Sequence, residues 1–380
     1  MPTFKKVKLK EICEKVDYGF TASASKINIG PKFLRITDIA HSSIDWDSVP
    51  YCEISETEKG KYLLTDGDIV VARTGATTGY AKCLKDLPEA VFASYLVRFR
   101  INEENNNRFI GHVIESQDYK DFIKKNLGGS AQPQANAQIL GSYELSLPDK
   151  ETQTRIASVL SAYDDLIENN EKRIKALEQM AQLLYTEWFV KFTVPAEVLT
   201  KEGELPEGWE IVKIGDLLKN VKRKVKLQTN EYRAAGLYPI VDQGRDFIAG
   251  YTDNEDAIYN ENLIVFGDHS RCFKYCNFHF ACGADGTQLL KTNDFEKMPQ
   301  ILLYYSVINA SLQNYSYARH FKFLKALNIL KPDSATANAF DKLVSQSYEQ
   351  IKKLRQQNQN LSKTRDLLIP QLVTGKRELK

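Results

Sequence analysis

Long apolar runs are missing from this 380-residue chain. No stretch of about eighteen apolar residues occurs, which excludes a hydrophobic helix built to span a membrane. An excess of charge of one sign is missing too: 51 basic side chains face 49 acidic ones, for a formal net charge of +2. That excludes a histone-like coating protein and is compatible with local basic faces. Cysteine is scarce, at six residues, and the opening Met1-Pro2-Thr3-Phe4-Lys5-Lys6 lacks the apolar core of a secretion signal. The expectation is free thiols in a reducing cytoplasm.

Catalytic signatures are also wanting. There is no Asn-Pro-Pro-Tyr or Asp-Pro-Pro-Tyr for amino-methyl transfer, no Gly-x-Ser-x-Gly and no His-Glu-x-x-His. The glycine-bounded Arg73-Thr74-Gly75-Ala76-Thr77-Thr78-Gly79 lacks the Gly-Lys-Ser/Thr ending of a phosphate-binding loop. His269, Cys272, Cys276, His279 and Cys282 offer nitrogen and sulfur ligands for zinc, but they form no paired knuckles. Phe273, Tyr275, Phe278 and Phe280 interleave with them, so strand packing on alternate faces is the favoured reading and no metal is expected. Pro148-Asp149 with Glu171-Lys172 suggests a metal nuclease at first sight. The same Pro-Asp pair recurs at Pro332-Asp333, and helix capping accounts for both copies. The chain reads as non-catalytic, with a stand-alone zinc enzyme as an alternative.

What is present is a duplicated helical pattern. Ile156, Leu160, Tyr163, Ile167, Asn170, Ile174, Leu177, Ala181, Leu184 and Trp188 follow alternating steps of four and three. An offset of 184 residues, from Ile156 to Phe340, gives Phe340, Val344, Ser347, Ile351, Leu354, Asn358, Leu361, Arg365, Leu368 and Leu372. A narrow two-in-seven seam is the mark of a coiled coil, and the single asparagine in each copy, Asn170 and Asn358, suits a register-fixing role. The spacing predicts helices over 149–193, roughly 60 Å long at 1.5 Å per residue, and over 332–380. An antiparallel intramolecular strut is favoured, with homodimerisation through the seam as the alternative.

A mixed α/β unit precedes each helix, 1–148 and 209–331, and a Pro- and Gly-bearing linker over 194–208 that includes Pro195 joins the first helix to the second unit. Lys32–Ile36, Asp68–Ala72 and Tyr95–Arg100 read as strands, and Phe109 to Phe122 as a helix that Gly128-Gly129 ends. Asp68–Arg73 resembles Leu263–Asp268, and Tyr143–Pro148 resembles Leu327–Pro332. The predicted architecture is α+β: two mixed units joined by two long antiparallel coiled-coil helices, with a pseudo-two-fold internal repeat.

The candidate contacts are polar loops. In the first unit Arg73, Thr74, Thr77 and Thr78 follow a strand, and Gln132, Gln134 and Asn136 stand in the small-residue loop Gly128–Gln138. In the second, Lys219, Lys222, Arg223, Lys224 and Lys226 crowd into eight residues. Arg245, Arg271, Arg319, His320 and Lys322 complete that set, the last three in or beside Tyr315–Lys322. Amides pair with adenine edges and guanidinium with guanine, so these residues suit DNA reading. A coiled-coil scaffold whose heads bind proteins is the competing reading.

Three segments carry a family resemblance: Leu147-Pro148 through Gln153-Thr154-Arg155-Ile156-Ala157 to Trp188-Phe189, then Leu205-Pro206-Glu207-Gly208-Trp209, then Leu367-Leu368-Ile369-Pro370-Gln371-Leu372-Val373-Thr374-Gly375-Lys376. Together they resemble the specificity (S) subunit of type I restriction-modification systems over essentially the whole chain. The resemblance implies two target-recognition domains, each reading one half of a bipartite, asymmetric double-stranded DNA target, with the helices spacing the halves. It further implies recruitment of two adenine methyltransferase subunits and of motor-nuclease subunits that cut unmodified DNA. S-adenosylmethionine, ATP and magnesium would sit on those partners, with no cofactor in this chain. One departure stands out: Ala335-Thr336-Ala337-Asn338 takes the place of Thr152-Gln153-Thr154-Arg155.

Overall fold

A computed structural model describes residues 4–40, 43–127, 134–193, 205–283, 286–312 and 319–378. Gln132 with its loop Gly128–Pro133, the stretch Tyr315–Ala318, and the linker from Val194 through Pro195 to Glu204 lie outside the described residues. Two compact units emerge: Met1–Asn169 with Gln357–Lys380, and Asn170–Gln356. Each unit therefore contains one head and a part of each long helix. Among the described residues no helix is long and apolar enough to cross a membrane.

The first unit runs β1 (Lys5–Lys8), β2 (Cys13–Tyr18), β3 (Lys32–Leu34), α1 (Glu56–Tyr62), β4 (Ile69–Ala72), β5 (Ala81–Cys83), β6 (Ala90–Phe92), β7 (Leu96–Ile101), α2 (Asn107–Glu115), α3 (Gln117–Asn126), α4 (Ala137–Gly141) and β8 (Glu144–Leu147), then enters α5 (Lys150–Tyr185). Its main sheet is antiparallel, in the order β2-β7-β4-β5. β4 is central, three of its four residues are β-branched, and all four are buried, as a strand covered on both faces requires. The helix expected over Phe109 to Phe122 is two helices. Ser116 stands between them in an extended conformation and its hydroxyl accepts from Tyr119 N, starting α3 afresh. The apolar spacing continues through the break, so periodicity alone does not reveal it.

The second unit holds β9 (Glu210–Lys213), β10 (Tyr238–Val241), β11 (Gly250–Thr252), β12 (Ile258–Tyr259), β13 (Leu263–Gly267), β14 (Phe273–Cys276), β15 (Phe280–Cys282), β16 (Thr287–Leu290), α6 (Gln300–Ile308), α7 (His320–Ala326), β17 (Asn328–Lys331) and most of α8 (Ser334–Val373). Sheets β14-β13-β16 and β11-β10-β15-β12 share its strands.

The duplication is written in individual bonds. β1 pairs with β8, and β9 with β17, both antiparallel. A 3-10 turn follows β1 and β9 directly, where Leu9 N donates to Tyr143 O and Ile214 N to Leu327 O. At the helix starts, Asp149 accepts from Thr152 N at 2.9 Å and Thr152 Oγ1 at 3.0 Å; Asp333 accepts from Thr336 N at 3.0 Å and Thr336 Oγ1 at 2.7 Å. Thr336 is therefore the counterpart of Thr152, so the second helix departs less from the first than the sequence reading has it. Hydrogen bonds to Thr152 hold the Asp149 carboxyl below its ordinary range. At Asp333 burial works against ionisation, yet the bonds from Thr336 and the Trp209 indole outweigh it and the shift is again downward.

Within each unit the helix segments run antiparallel. In the first, Asn358 Nδ2 donates to Ile167 O at 3.2 Å and Arg365 pairs with Asp164, while Ile156, Ala157 and Leu160 share a core with Ile369 and Leu372. In the second, Arg355 pairs with Glu178 at 2.8 Å, and Phe340 packs among Tyr185, Trp188, Phe189 and Tyr305. A π turn over Thr186–Val190 ends α5 and brings the successive Trp188 and Phe189 into that core. Ile156, Leu160, Ile167, Asn170, Phe340, Val344, Ile351 and Leu354 are buried, while Ile174, Leu177, Leu184, Asn358, Leu361 and Leu368 are half-buried. The seam is thus filled internally, as a strut requires.

A buried ion network underlies the first sheet. Arg98 on β7, 1% exposed, donates to Asp17 on β2 at 2.6 Å and to the carbonyl of Leu63 at 2.7 Å, and lies 3.6 Å from Asp68. Removing one partner strands charge away from water. Urea denaturation should show Arg98→Met losing about 3–5 kcal/mol. Arg35→Met, which breaks the more exposed Arg35–Asp38 pair, should cost about 0–1 kcal/mol.

Candidate nucleic-acid interface

Both heads build the same junction after their central strand. In the first, Ala72 pairs with Leu96; in the second, Gly267 pairs with Thr287. The next residue is Arg73 in one head and Asp268 in the other. Arg73 N donates to Tyr95 O and its carbonyl accepts from Ala135 N; Asp268 N donates to Gly286 O and its carbonyl accepts from His320 N. The backbone framework is the same, and the side chains carry opposite charge.

In the first head the junction gathers Arg73, Thr74 and Gln134. Thr74 and Gln134 form a β-bridge, so the loop carrying Gln134 is docked beside the hairpin. The Arg73 guanidinium lies over the Tyr18 ring, 4.9 Å from its centroid, and reaches Ser94 O at 3.4 Å. Tyr18 is 44% exposed, and its hydroxyl accepts from Ala137 N at 3.0 Å, which fixes the ring. Thr77 is half-buried. Two other candidates serve the fold. The Thr78 hydroxyl is buried and donates to Gly75 O at 2.6 Å, closing a loop in which Gly75 and Gly79 take left-handed φ of 78° and 88°. The Asn136 side chain caps α4 by accepting from Ile139 N. Polar residue type suggested contact for both, and a local backbone partner claims each.

In the second head the basic segment meets the β16 edge around a cavity of about 540 Å³. Arg223, Lys224, Lys226, His269, Thr287, Gln288 and Arg319 are among its lining residues. Arg223 reaches across to Thr287 O at 3.2 Å and Gln288 Oε1 at 2.8 Å. Asp268 contributes the acidic side chain of the lining, and its Oδ1 accepts from Phe321 N at 2.7 Å. Arg271 and His320 hold one another. Arg271, at a left-handed φ of 60°, donates from Nε to His320 Nε2 at 3.2 Å. That places the imidazole proton on Nδ1. His320 is 3% exposed, and burial, helped by the Arg271 charge, pushes its pKa down, so the ring stays neutral. Lys222, Arg245, Arg319 and Lys322 are exposed, and of these only Arg319 lines the cavity.

Cys276 and Cys282 pack in one apolar cluster with Val241, Tyr259 and Phe280, and burial raises both thiols, Cys282 to about 11. Thiols so held are poor zinc ligands. Among the described residues no group of three or more His, Cys, Asp or Glu side chains is placed to hold a metal. Sequence reasoning passed over Tyr18, which sits 55 residues before Arg73 in a strand with no binding motif. It also passed over Thr287 and Gln288, whose place at the cavity follows from β16 pairing with β13.

Paired heads with a shared junction, unlike polar faces and a duplicated helical frame are features that this chain shares with known proteins of one kind. Residues 1–179 match the family described as type I restriction modification DNA specificity domain. The type I restriction enzyme MjaIX specificity subunit of Methanocaldococcus jannaschii is 26% identical over 86% of this chain and 80% of its own. The HindI specificity subunit of Haemophilus influenzae is 30% identical over 37% of this chain and 33% of its own. A crystal structure of the type I restriction-modification S subunit from M. genitalium covers 100% of this chain and 97% of that one, with a TM-score of 0.56 and 14% identity, a likeness of fold. The chain thus resembles type I restriction-enzyme specificity subunits along most of its length, and its first 179 residues match their DNA specificity domain.

His320 protonates less readily folded than unfolded, so its contribution to stability is intact above about pH 6.5 and declines as the pH falls below that value. Urea midpoints measured from pH 7.5 to 5.5 should fall more steeply for the wild type than for His320→Gln.

Proposed function

We propose that each head reads one half of a bipartite, asymmetric double-stranded DNA target. The helices set the spacer and recruit two adenine methyltransferase subunits and the motor-nuclease subunits. The observation that carries this reading is the common junction with opposite charges, Arg73 in one head and Asp268 in the other. Two readers on one framework with unlike contact residues suit two unlike half-sites. Exposed basic side chains, among them Lys224 and Arg319, supply phosphate attraction independent of sequence.

Two-copy recruitment is supported by Leu183 and Leu367, related by the 184-residue repeat and exposed at 62% and 59%. Large apolar side chains held in water at repeat-related positions suit two copies of one partner. S-adenosylmethionine, ATP and magnesium belong on those partners, and the assembled complex acts on DNA in the cytoplasm.

Methylome mapping with and without this chain, beside its methyltransferase, tests the reading. A bipartite motif that appears only with the chain is expected, and a motif independent of it refutes the assignment. Inserting one helical turn, about 5.4 Å, into both α5 and α8 should lengthen the spacer by a base pair or two. An unchanged spacer would rule out the helices as its determinant. Lys224→Ala should weaken binding equally for all sequences and lower the slope of log affinity against log salt by about one.

A further inference from the structure

We infer that Arg73 is the guanine-reading residue of the first head, binding the major-groove edge of one G·C pair end-on. It rests on the reading of the chain as a DNA-specificity subunit and goes beyond it by assigning one base contact to one side chain.

The first head has five arginines, and four are committed to carboxylates: Arg35 to Asp38, Arg98 to Asp17, Arg100 to Asp68 and Arg108 to Asp66. Arg73 has no carboxylate partner among the described residues. The fold does not need its charge either. In the second head Asp268 makes the same two backbone bonds, so the framework accepts either sign at this position. A cation kept where structure does not require it is available to a ligand.

Its geometry narrows that ligand. Tyr18 below and Ser94 O beside it confine the guanidinium, and the Tyr18 hydroxyl is itself held by Ala137 N. Nε is buried without a partner, and Nη1 makes one long contact of 3.4 Å to Ser94 O, so the terminal nitrogens keep hydrogens to present to a ligand. A phosphate contact needs charge but little orientation, whereas guanine O6 and N7 form a planar acceptor pair that a fixed fork matches. Thr74 and Gln134 flank the fork with further hydrogen-bonding groups.

The experiment uses the assembled complex of this chain with its methyltransferase, as wild type, Arg73→Lys and Arg73→Gln. Modified sites are mapped genome-wide, and binding is measured by competition among duplexes carrying each of the four base pairs at the position in question. The expected result is a G·C pair at one position of one half-site. Arg73→Gln should reduce preference for it about tenfold to a hundredfold, with the other half-site and spacer unchanged. Arg73→Lys should keep part of the preference. A motif unchanged in Arg73→Gln, or an equal loss of binding to all four duplexes, overturns the inference and makes Arg73 a phosphate contact. A wild-type motif with no G·C pair overturns it as well. Failure of the wild-type chain to direct any motif would instead refute the function on which it rests.

Discussion

In each unit one apolar core runs from the head into the paired helix segments, and the rest of the structure depends on that continuity. Leu9, Ile69 and Phe99 of the first head are buried with Ile156, Leu160, Ile369 and Leu372 of the helices. Ile214, Ile264 and Phe266 of the second are buried with Tyr185, Trp188, Phe340 and Ile351. Two helices joined by a narrow seam bury little surface by themselves. Packed against a head, they gain the apolar contact that makes them part of its fold. A head so joined presents its loops in a fixed relation to its own helix segments. That property is what a reader of sequence needs.

Duplication has acted differently on backbone and side chain. The bonds that shape the fold recur: Leu9 N to Tyr143 O with Ile214 N to Leu327 O, and the Asp149–Thr152 cap with the Asp333–Thr336 cap. Backbone bonds place no demand on side-chain chemistry, so the residues that project from a conserved junction can diverge without cost to the frame. Arg73 and Asp268 are the clearest case, and each has acquired its own surroundings. Tyr18 supports the arginine, whereas Phe321 N ties the aspartate inward beside the cation-lined cavity.

The helices and most strands were legible because their signals are local. A four-three repeat or a run such as Ile69-Val70-Val71-Ala72 states its own period, and Asp149 announces a helix start one residue ahead. The break at Ser116 was hidden because the apolar period runs through it. At the candidate site, residue type pointed to Arg73, Gln134 and the basic segment, which the fold places in the two junctions as candidates. It also named Thr78 and Asn136, whose side chains are spent on their own loops, and His320, which holds Arg271. Composition cannot separate a polar group facing water from one satisfied by a backbone amide a few residues away.

By itself the sequence determined the duplicated frame, the two mixed heads, the helix caps and the family resemblance, because each follows from short-range periodicity or from contiguous motifs. Only the tertiary structure decided which polar residues stand together. The Tyr18–Arg73 contact, the Thr74–Gln134 bridge and the Arg98–Asp17 pair join residues far apart in the chain. Their proximity is set by strand register, a property of the folded sheet and of no single segment.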